Sequence, residues 1–309
     1  MGLVASLPPS SLQHFTLQQE LSYRRQHFSK DVADQIFRYG AIVGSVIHHF
    51  DRLDRCMDHA RGLILDHEEQ NLSFPSGTVI LADCLENGQG RFGRYWHAPE
   101  GGLWLVLVLV NTLLPEISRL YPLAAGVACC EFVRHHDIDG RIQWVNDVRV
   151  HGRKIGGILT ESSIGRHSGE EYILIGMGIN VNNEQFPAEL RSIAGSMRPH
   201  LANDLDMNQA AMELLAKLSW NIGLLHYDES RLLRERDGAA KGGQGSLLLA
   251  RWRQLSDTIG RRVEFGFNVE EDPQYEATVL GLAEDGGLIL SLADSGTIVE
   301  YSGEIRYLD

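Results

Sequence analysis

At 309 residues the chain can hold one large domain and a small one. Its 43% hydrophobic and 22% charged residues are ordinary for a globular protein. A formal charge of −13 argues against nucleic acid or an anionic membrane as the main partner, because phosphate binding needs a basic surface. Cys56, Cys84, Cys129 and Cys130 form no C-x-x-C pair, so buried reduced thiols in a cytoplasmic protein are expected.

The opening MGLVASLPPSSLQHF has no basic n-region and does not read as a signal peptide; residues 1–16 read as a disordered lead. From Leu17 to Arg38 the chain is polar and helix-prone, with Leu21, Val32 and Ile36 inward. AIVGSVIHHF has strand character, and Asp54 opens a helix over DRCMDHARGLIL. TVILAD (78–83) is a short buried strand leading to NGQGRFGRYW, and GLWLVLVLV is a second strand, too short to span a bilayer. Pro115 starts a helix running to His136, with small residues on one side.

RIQWVNDVRV and RKIGGILTES bracket a tight turn at His151-Gly152, a hairpin signal. YILIGMGINVN is a further buried strand, and DMNQAAMELLAKLSWNIGLL an amphipathic helix. RDGAAKGGQGS reads as a linker and LLLARWRQLSDTIG as a helix. Alternating strands punctuated at Asp285-Gly286-Gly287 and Asp294-Ser295-Gly296 then suit a small β-barrel. The organisation expected is an extension over 1–38, a main domain over 39–235, a linker over 236–250 and a terminal β domain over 251–309.

The loop GQGRFGR packs three glycines and two arginines into seven positions. Glycines let backbone N–H groups approach a ligand, while Arg91 and Arg94 suit a carboxylate or phosphate. No Gly-Lys-Ser/Thr follows, which excludes a P-loop. Asn146 and Asp147 offer hard oxygens for Mg²⁺ or a nucleotide, and Lys154, beside Gly156 and Gly157, can offset developing charge on a carboxylate or phosphate. IGMGINVN ends in a polar loop carrying Asn180 and Asn182.

Together these segments resemble the biotin protein ligase family. Its pattern G-R-G-R-x-G-R-x-W matches GQGRFGRYW, and K-W-P-N-D matches QWVND. R-K-(L/I)-(A/G)-G-I-L-x-E appears as RKIGGILTE, and G-I-G-I-N-V-N as GMGINVN. The terminal D-G-x-L and G-E-(I/V) match DGGLIL and SGEI. The resemblance implies an α+β fold, with a mixed sheet and packed helices followed by an SH3-like β-barrel. It implies ATP-dependent activation of biotin as an adenylate, then transfer to a lysine of a carrier-protein domain. Lys154 and Arg91 would be catalytic. Gly88, Gly90, Arg91, Gly93, Arg94, Asn146, Asp147 and Asn180 would hold ATP and the adenylate, with Asp147 also toward Mg²⁺. Arg55, Cys56, Leu85, Trp96, Gly156 and Gly157 would face the acid.

Departures cluster on the acid side. The family's Asp-Ser-Thr-Asn is Asp54-Arg55-Cys56-Met57, and a biotin-contacting glutamine is Leu85. The first loop arginine is Gln89, and K-W-P becomes Gln143-Trp144-Val145. Each lost polar partner of a buried ligand costs roughly 1–3 kcal/mol. Three readings follow: a biotin ligase, the same chemistry on lipoate or octanoate, or a non-catalytic binder. The resemblance also allows a homodimer through the sheet edge. Without a basic recognition helix before the main domain, DNA repression is not expected.

Overall fold

The computed structural model describes residues 7–237, 245–293 and 296–308. The expected linker residues 238–244, and Asp294 and Ser295 of the expected Asp294-Ser295-Gly296 punctuation, lie outside them. Two sheets, one mixed and one antiparallel, are built from the apolar runs.

Residues 1–6 of the expected disordered lead lie outside the described residues; from Pro9 on the chain is helical instead: α1 (Pro9–Phe15), a π turn (Thr16–Glu20), α2 (Leu21–Arg24) and α3 (Lys30–Gly40). Leu7, Leu12, Leu21 and Ile36 are buried in the main core, which is why the lead folds down. Ser29 caps α3 by accepting from the Val32 N–H. Residues 41–45 turn out of α3, so β1 starts only at Val46 (Val46–Leu53). Next come α4 (Cys56–Glu69), β2 (Thr78–Leu85) and β3 (Gly102–Val110). The helix expected from Pro115 divides into α5 (Pro115–Ser118) and α6 (Tyr121–His135). Pro122 sits in the first turn of α6, where a missing N–H costs nothing.

After β4 (Arg141–Gln143), β5 (Asp147–Val150) and β6 (Arg153–Ile164) form the anticipated hairpin. Its turn puts His151 and Gly152 at φ 46° and 78°, the left-handed pair a two-residue hairpin needs. β7 (Glu171–Asn180) completes a seven-stranded sheet in the order β1-β2-β3-β7-β6-β5-β4, antiparallel except at β1–β2.

A long helix, α7 (Met207–Arg236), and a short one, α8 (Leu247–Leu255), follow, the latter shorter than expected and starting inside the anticipated linker. Asp228 accepts from the Ser246 hydroxyl and from the Leu247 and Leu248 N–H groups, which fixes where α8 begins. β8 (Arg262–Gly266), β9 (Tyr275–Leu282), β10 (Leu288–Ser291), β11 (Thr297–Glu300) and β12 (Glu304–Tyr307) form a five-stranded antiparallel sheet, ordered β11-β10-β9-β8-β12.

α4 covers one face of the large sheet, and α6 and α7 the other, where the core runs on into the terminal sheet. α3 and α7 meet at Gly40, where a side chain would collide with the Ser219 carbonyl. Beneath them lies a buried charge network. Glu131 of α6 accepts from Arg24, Arg251 and Asn221, while Glu20 accepts from Arg24 and Lys217. Burial alone would raise the Glu131 carboxyl; the Arg24 and Arg251 guanidiniums outweigh it and hold it at about 2. No helix among the described residues is long and apolar enough to cross a membrane.

Candidate active site

A cavity of about 510 Å³ opens over β3, β6 and β7, and every strand contributing to its floor is antiparallel to its neighbour there. Its walls are the start of α4, the loop between β2 and β3, the β5–β6 hairpin, the segment after β7 and the turn into β12. Five cations (Arg55, Arg91, Arg94, Arg149, Lys154) line it against three carboxylates (Asp147, Glu270, Glu304), so the site is cationic in a chain of charge −13. An anionic ligand is favoured there on Coulombic grounds.

The floor is glycine because an indole lies on it. Gly157 and Gly178 face one another across β6 and β7, and a Cβ on Gly178 would stand 2.8 Å from Trp96 Nε1. Trp104, from β3, meets Trp96 edge to face at 6.5 Å. The Trp96 Nε1 is buried and has no hydrogen-bond partner among the described residues, a donor at the cavity's centre. Lys154 Nζ stands 5.3 Å from the Trp96 ring and 2.6 Å from Asp147 Oδ1. Its backbone is clamped too: its N–H donates to the Ile193 carbonyl, and its carbonyl accepts from Gly195.

The glycine-rich loop is a small hairpin, with Trp96 N–H donating to the Gly88 carbonyl and Gly90 N–H to that of Arg94. Arg91 reaches the Asn146 side chain at 3.3 Å and the Gly303 carbonyl at 2.8 Å. Desolvation lowers the Arg91 pKa, with Glu304 and Asp147 pulling the other way. Arg94 grips both oxygens of Glu304 and the Asn268 side chain. The loop is thus fastened to the terminal sheet through the two arginines expected to take anions.

The inner end of the cavity is apolar. Cys56 opens α4 with its thiol toward the Trp104 carbonyl, and burial pushes that thiol up to about 12. Met57 fills the space over Gly176, where a Cβ would lie 3.1 Å from its sulfur. Leu85 and Leu159 complete that end, and Arg55 at its edge pairs with Asp58 of its own helix.

Of the residues expected at the site, Lys154, Arg91, Arg94, Gly90, Asn146, Asp147, Asn180, Arg55, Cys56, Leu85, Trp96 and Gly157 line one cavity. Three others do not. Gly156 faces the opposite side of β6, toward Val148 and Ile179, because side chains alternate along a strand. Gly93 opens to solvent, and Gly88 sits at the loop's base. Sequence reasoning missed Arg149, two residues beyond Asp147 and so on the same face, a signal the alternation carries. It also missed Gly178 and the terminal-sheet residue Glu304. Among the described residues no group of three or more His, Cys, Asp or Glu side chains gathers to hold a metal ion.

The fold is that of known biotin-binding enzymes. Biotin protein ligase from Aquifex aeolicus, solved in complex with biotin and ATP, superposes with a TM-score of 0.64 at 22% identity, covering 85% of this chain and 98% of that one. Biotin protein ligase from Leishmania major, in complex with biotinyl-5-AMP, gives 0.53 at 20% identity, covering 82% and 98%.

Residues 57–180 match the biotin/lipoate A/B protein ligase family. The bifunctional ligase/repressor BirA of Bacillus subtilis (strain 168) is 35% identical over 144 residues, 45% of this chain and 44% of that protein. The biotin--[acetyl-CoA-carboxylase] ligase of Mycobacterium tuberculosis is 28% identical over 242 residues, 75% of this chain and 79% of that protein. The chain thus spans under half the length of the B. subtilis relative.

Proposed function

We propose that this cavity joins a carboxylic acid, biotin first among candidates, to AMP from ATP and passes the acyl group to a lysine of a carrier-protein domain. The observation that carries the reading is convergence. Lys154 and Arg91, from elements far apart in sequence, both reach the Asn146-Asp147 corner of one cationic cavity. In the first step a carboxylate oxygen bonds to the α-phosphorus as the bond to the bridging oxygen breaks, releasing pyrophosphate. The carboxylate is already ionised, so no base is required. Lys154 offsets charge gathering on the α-phosphate, and Arg91 holds the adenylate from the loop side. In the second step a lysine amine displaces AMP from the mixed anhydride, and a proton is lost.

An acyl adenylate hydrolyses readily, so the loop over residues 88–96 has the task of shutting water out. In this reading Gly90, Arg94 and Asn180, which line the same cavity, border the nucleotide. Trp96 offers its free N–H and its ring to the acid, and Cys56, Leu85 and Gly157 shape the acid's pocket. Mg²⁺ fits this site only in part. It is a metal held by one or two carboxylates and substrate phosphates, and Asp147 supplies one such carboxylate, shared with Lys154. When bound it would neutralise phosphate charge. The unit over 39–235 is read as the ligase domain and 251–309 as an SH3-like barrel. The antiparallel order of β8 to β12 and the loop's contacts with Gly303 and Glu304 support that division.

A second reading, another acid such as lipoate or octanoate, is favoured by the inner end, where Met57 and Leu85 offer apolar surface. ATP–pyrophosphate exchange tests both. Wild type supplied with biotin, lipoate or octanoate should exchange with at least one of them, and Lys154→Ala should abolish it. Undiminished exchange in that variant would end the assignment.

A further inference from the structure

Distances along the floor set an order. Gly176 pairs with Leu159 beneath Met57, Gly178 pairs with Gly157 beneath Trp96, and Lys154 follows on β6. At about 3.3 Å per residue, and with a bulge at Ile155 shortening the run, Leu159 to Lys154 spans at most about 16 Å. Directly across from Lys154 on β5 stands Arg149. Beyond it lies a second cleft of about 730 Å³, which shares Gln143, Arg149, Glu270 and Ile305 with the first. Arg149 therefore stands at the junction of the two spaces, at the end remote from the acid.

The charges at this junction are unequally used. Arg141 pairs with Asp139, and Arg306 with Glu264 and Glu270. Gln143, where the resembled pattern has lysine, spends its amide on the Ile305 carbonyl at 2.6 Å and brings no charge. Arg149 differs. It donates to the Gly152 carbonyl at 3.0 Å, and its Nε is buried with no hydrogen-bond partner among the described residues. The carboxylate near it, Asp147, lies 3.7 Å away and is already held by Lys154 at 2.6 Å. A guanidinium so placed keeps a planar fork of donors for an incoming anion.

We infer that Arg149 binds the pyrophosphate end of ATP and the departing pyrophosphate, supplying from β5 the cation that Gln143 does not, with the arginine-rimmed cleft as the leaving group's exit. The inference rests on the proposed adenylation. As the carboxylate bonds to the α-phosphorus, the electron pair of the breaking bond leaves on pyrophosphate, opposite the acid, which is where Arg149 stands. It would touch the leaving group directly and have no contact with the acid.

The test is calorimetric titration of the intact chain with inorganic pyrophosphate and, separately, with AMP. Arg149→Met should weaken pyrophosphate binding roughly ten- to hundredfold and leave AMP unchanged, as expected for a lost charge-assisted pair. Arg149→Lys, a point charge without the fork, should fall between. Equal pyrophosphate affinity in wild type and Arg149→Met, equal losses for both ligands, or no saturable pyrophosphate binding by wild type would each overturn the inference. Should Arg149→Met fail to melt cooperatively, Arg149→Lys decides alone: weakening of threefold or more supports it, and none overturns it. Adenylate formation by wild type, followed by mass, is a separate readout. Selective pyrophosphate binding without any adenylate would defeat the ligase reading while leaving the pyrophosphate site standing.

Discussion

Replacing Gly178 with alanine separates the cavity's shape from the protein's stability. The added methyl would sit 2.8 Å from Trp96 Nε1 and 3.0 Å from its Cε2, where an ordinary contact needs 3.4 Å or more. The indole must therefore lift by at least about half an ångström, and the open side is the cavity itself. Overpacking a tight site costs about 1–3 kcal/mol, but Trp96 can yield into empty space, so we expect the low end. That corresponds to a fall in melting temperature of roughly 2–4 °C. The chemistry should suffer more, because Lys154 stands over the same ring and misplacement by about 1 Å can cost roughly a hundredfold in rate. Acid-dependent ATP–pyrophosphate exchange should fall by about ten- to a hundredfold. Gly156→Ala is the contrast. Its methyl would meet the Gly178 carbonyl oxygen at 3.3 Å and Val148 and Ile179 at 3.5 Å, milder crowding than at Gly178 and away from the indole, so exchange should change far less. Equal losses in the two variants, or full exchange in Gly178→Ala, would refute the packing argument.

Three further outcomes are expected. Glu304→Ala removes the carboxylate that grips Arg94, so limited trypsin digestion of the ligand-free chain should cleave after Arg91 and Arg94 several-fold faster; an unchanged rate would show that the clasp does not restrain the loop. Glu131→Gln leaves the buried Arg24 and Lys217 sharing the single carboxylate of Glu20, at a cost of about 3–5 kcal/mol in urea unfolding, and a loss below about 1 kcal/mol would contradict the network. The Glu131 carboxyl lies at about 2 in the fold against an ordinary 4.5, so its contribution is complete above pH 4.5 and fades as the pH falls towards 2. Wild type should therefore lose about 3 kcal/mol more than Glu131→Gln over that window. Finally, Cys56 lines the cavity with its thiol pushed up to about 12, so iodoacetamide at pH 8 should modify it only on unfolding; rapid labelling of the native chain would contradict its burial.

What the sequence made legible was the local grammar. Alternation and apolar runs placed β2, β3, β6 and β7, and His151-Gly152 marked the hairpin. Motif spacing then brought Lys154, Arg91, Asn146 and Asp147 to one place. Contacts set by tertiary packing were not legible. Arg94 and Glu304 meet across 210 positions, and no local pattern joins them. The chain before Leu17 reads as a disordered lead because Leu7 and Leu12 gain their value only against a core made elsewhere. Gly156 was an error of parity, since the side-chain positions of Gly156 and Gly157 point to opposite faces of β6.

The most direct measurement is native mass spectrometry of the intact chain, desalted after incubation with ATP, Mg²⁺ and each of biotin, lipoate and octanoate. With at least one acid the account predicts a protein–acyl-adenylate complex near one-to-one, absent in Lys154→Ala. No adenylate with any of the three, from a protein that remains folded, would contradict it.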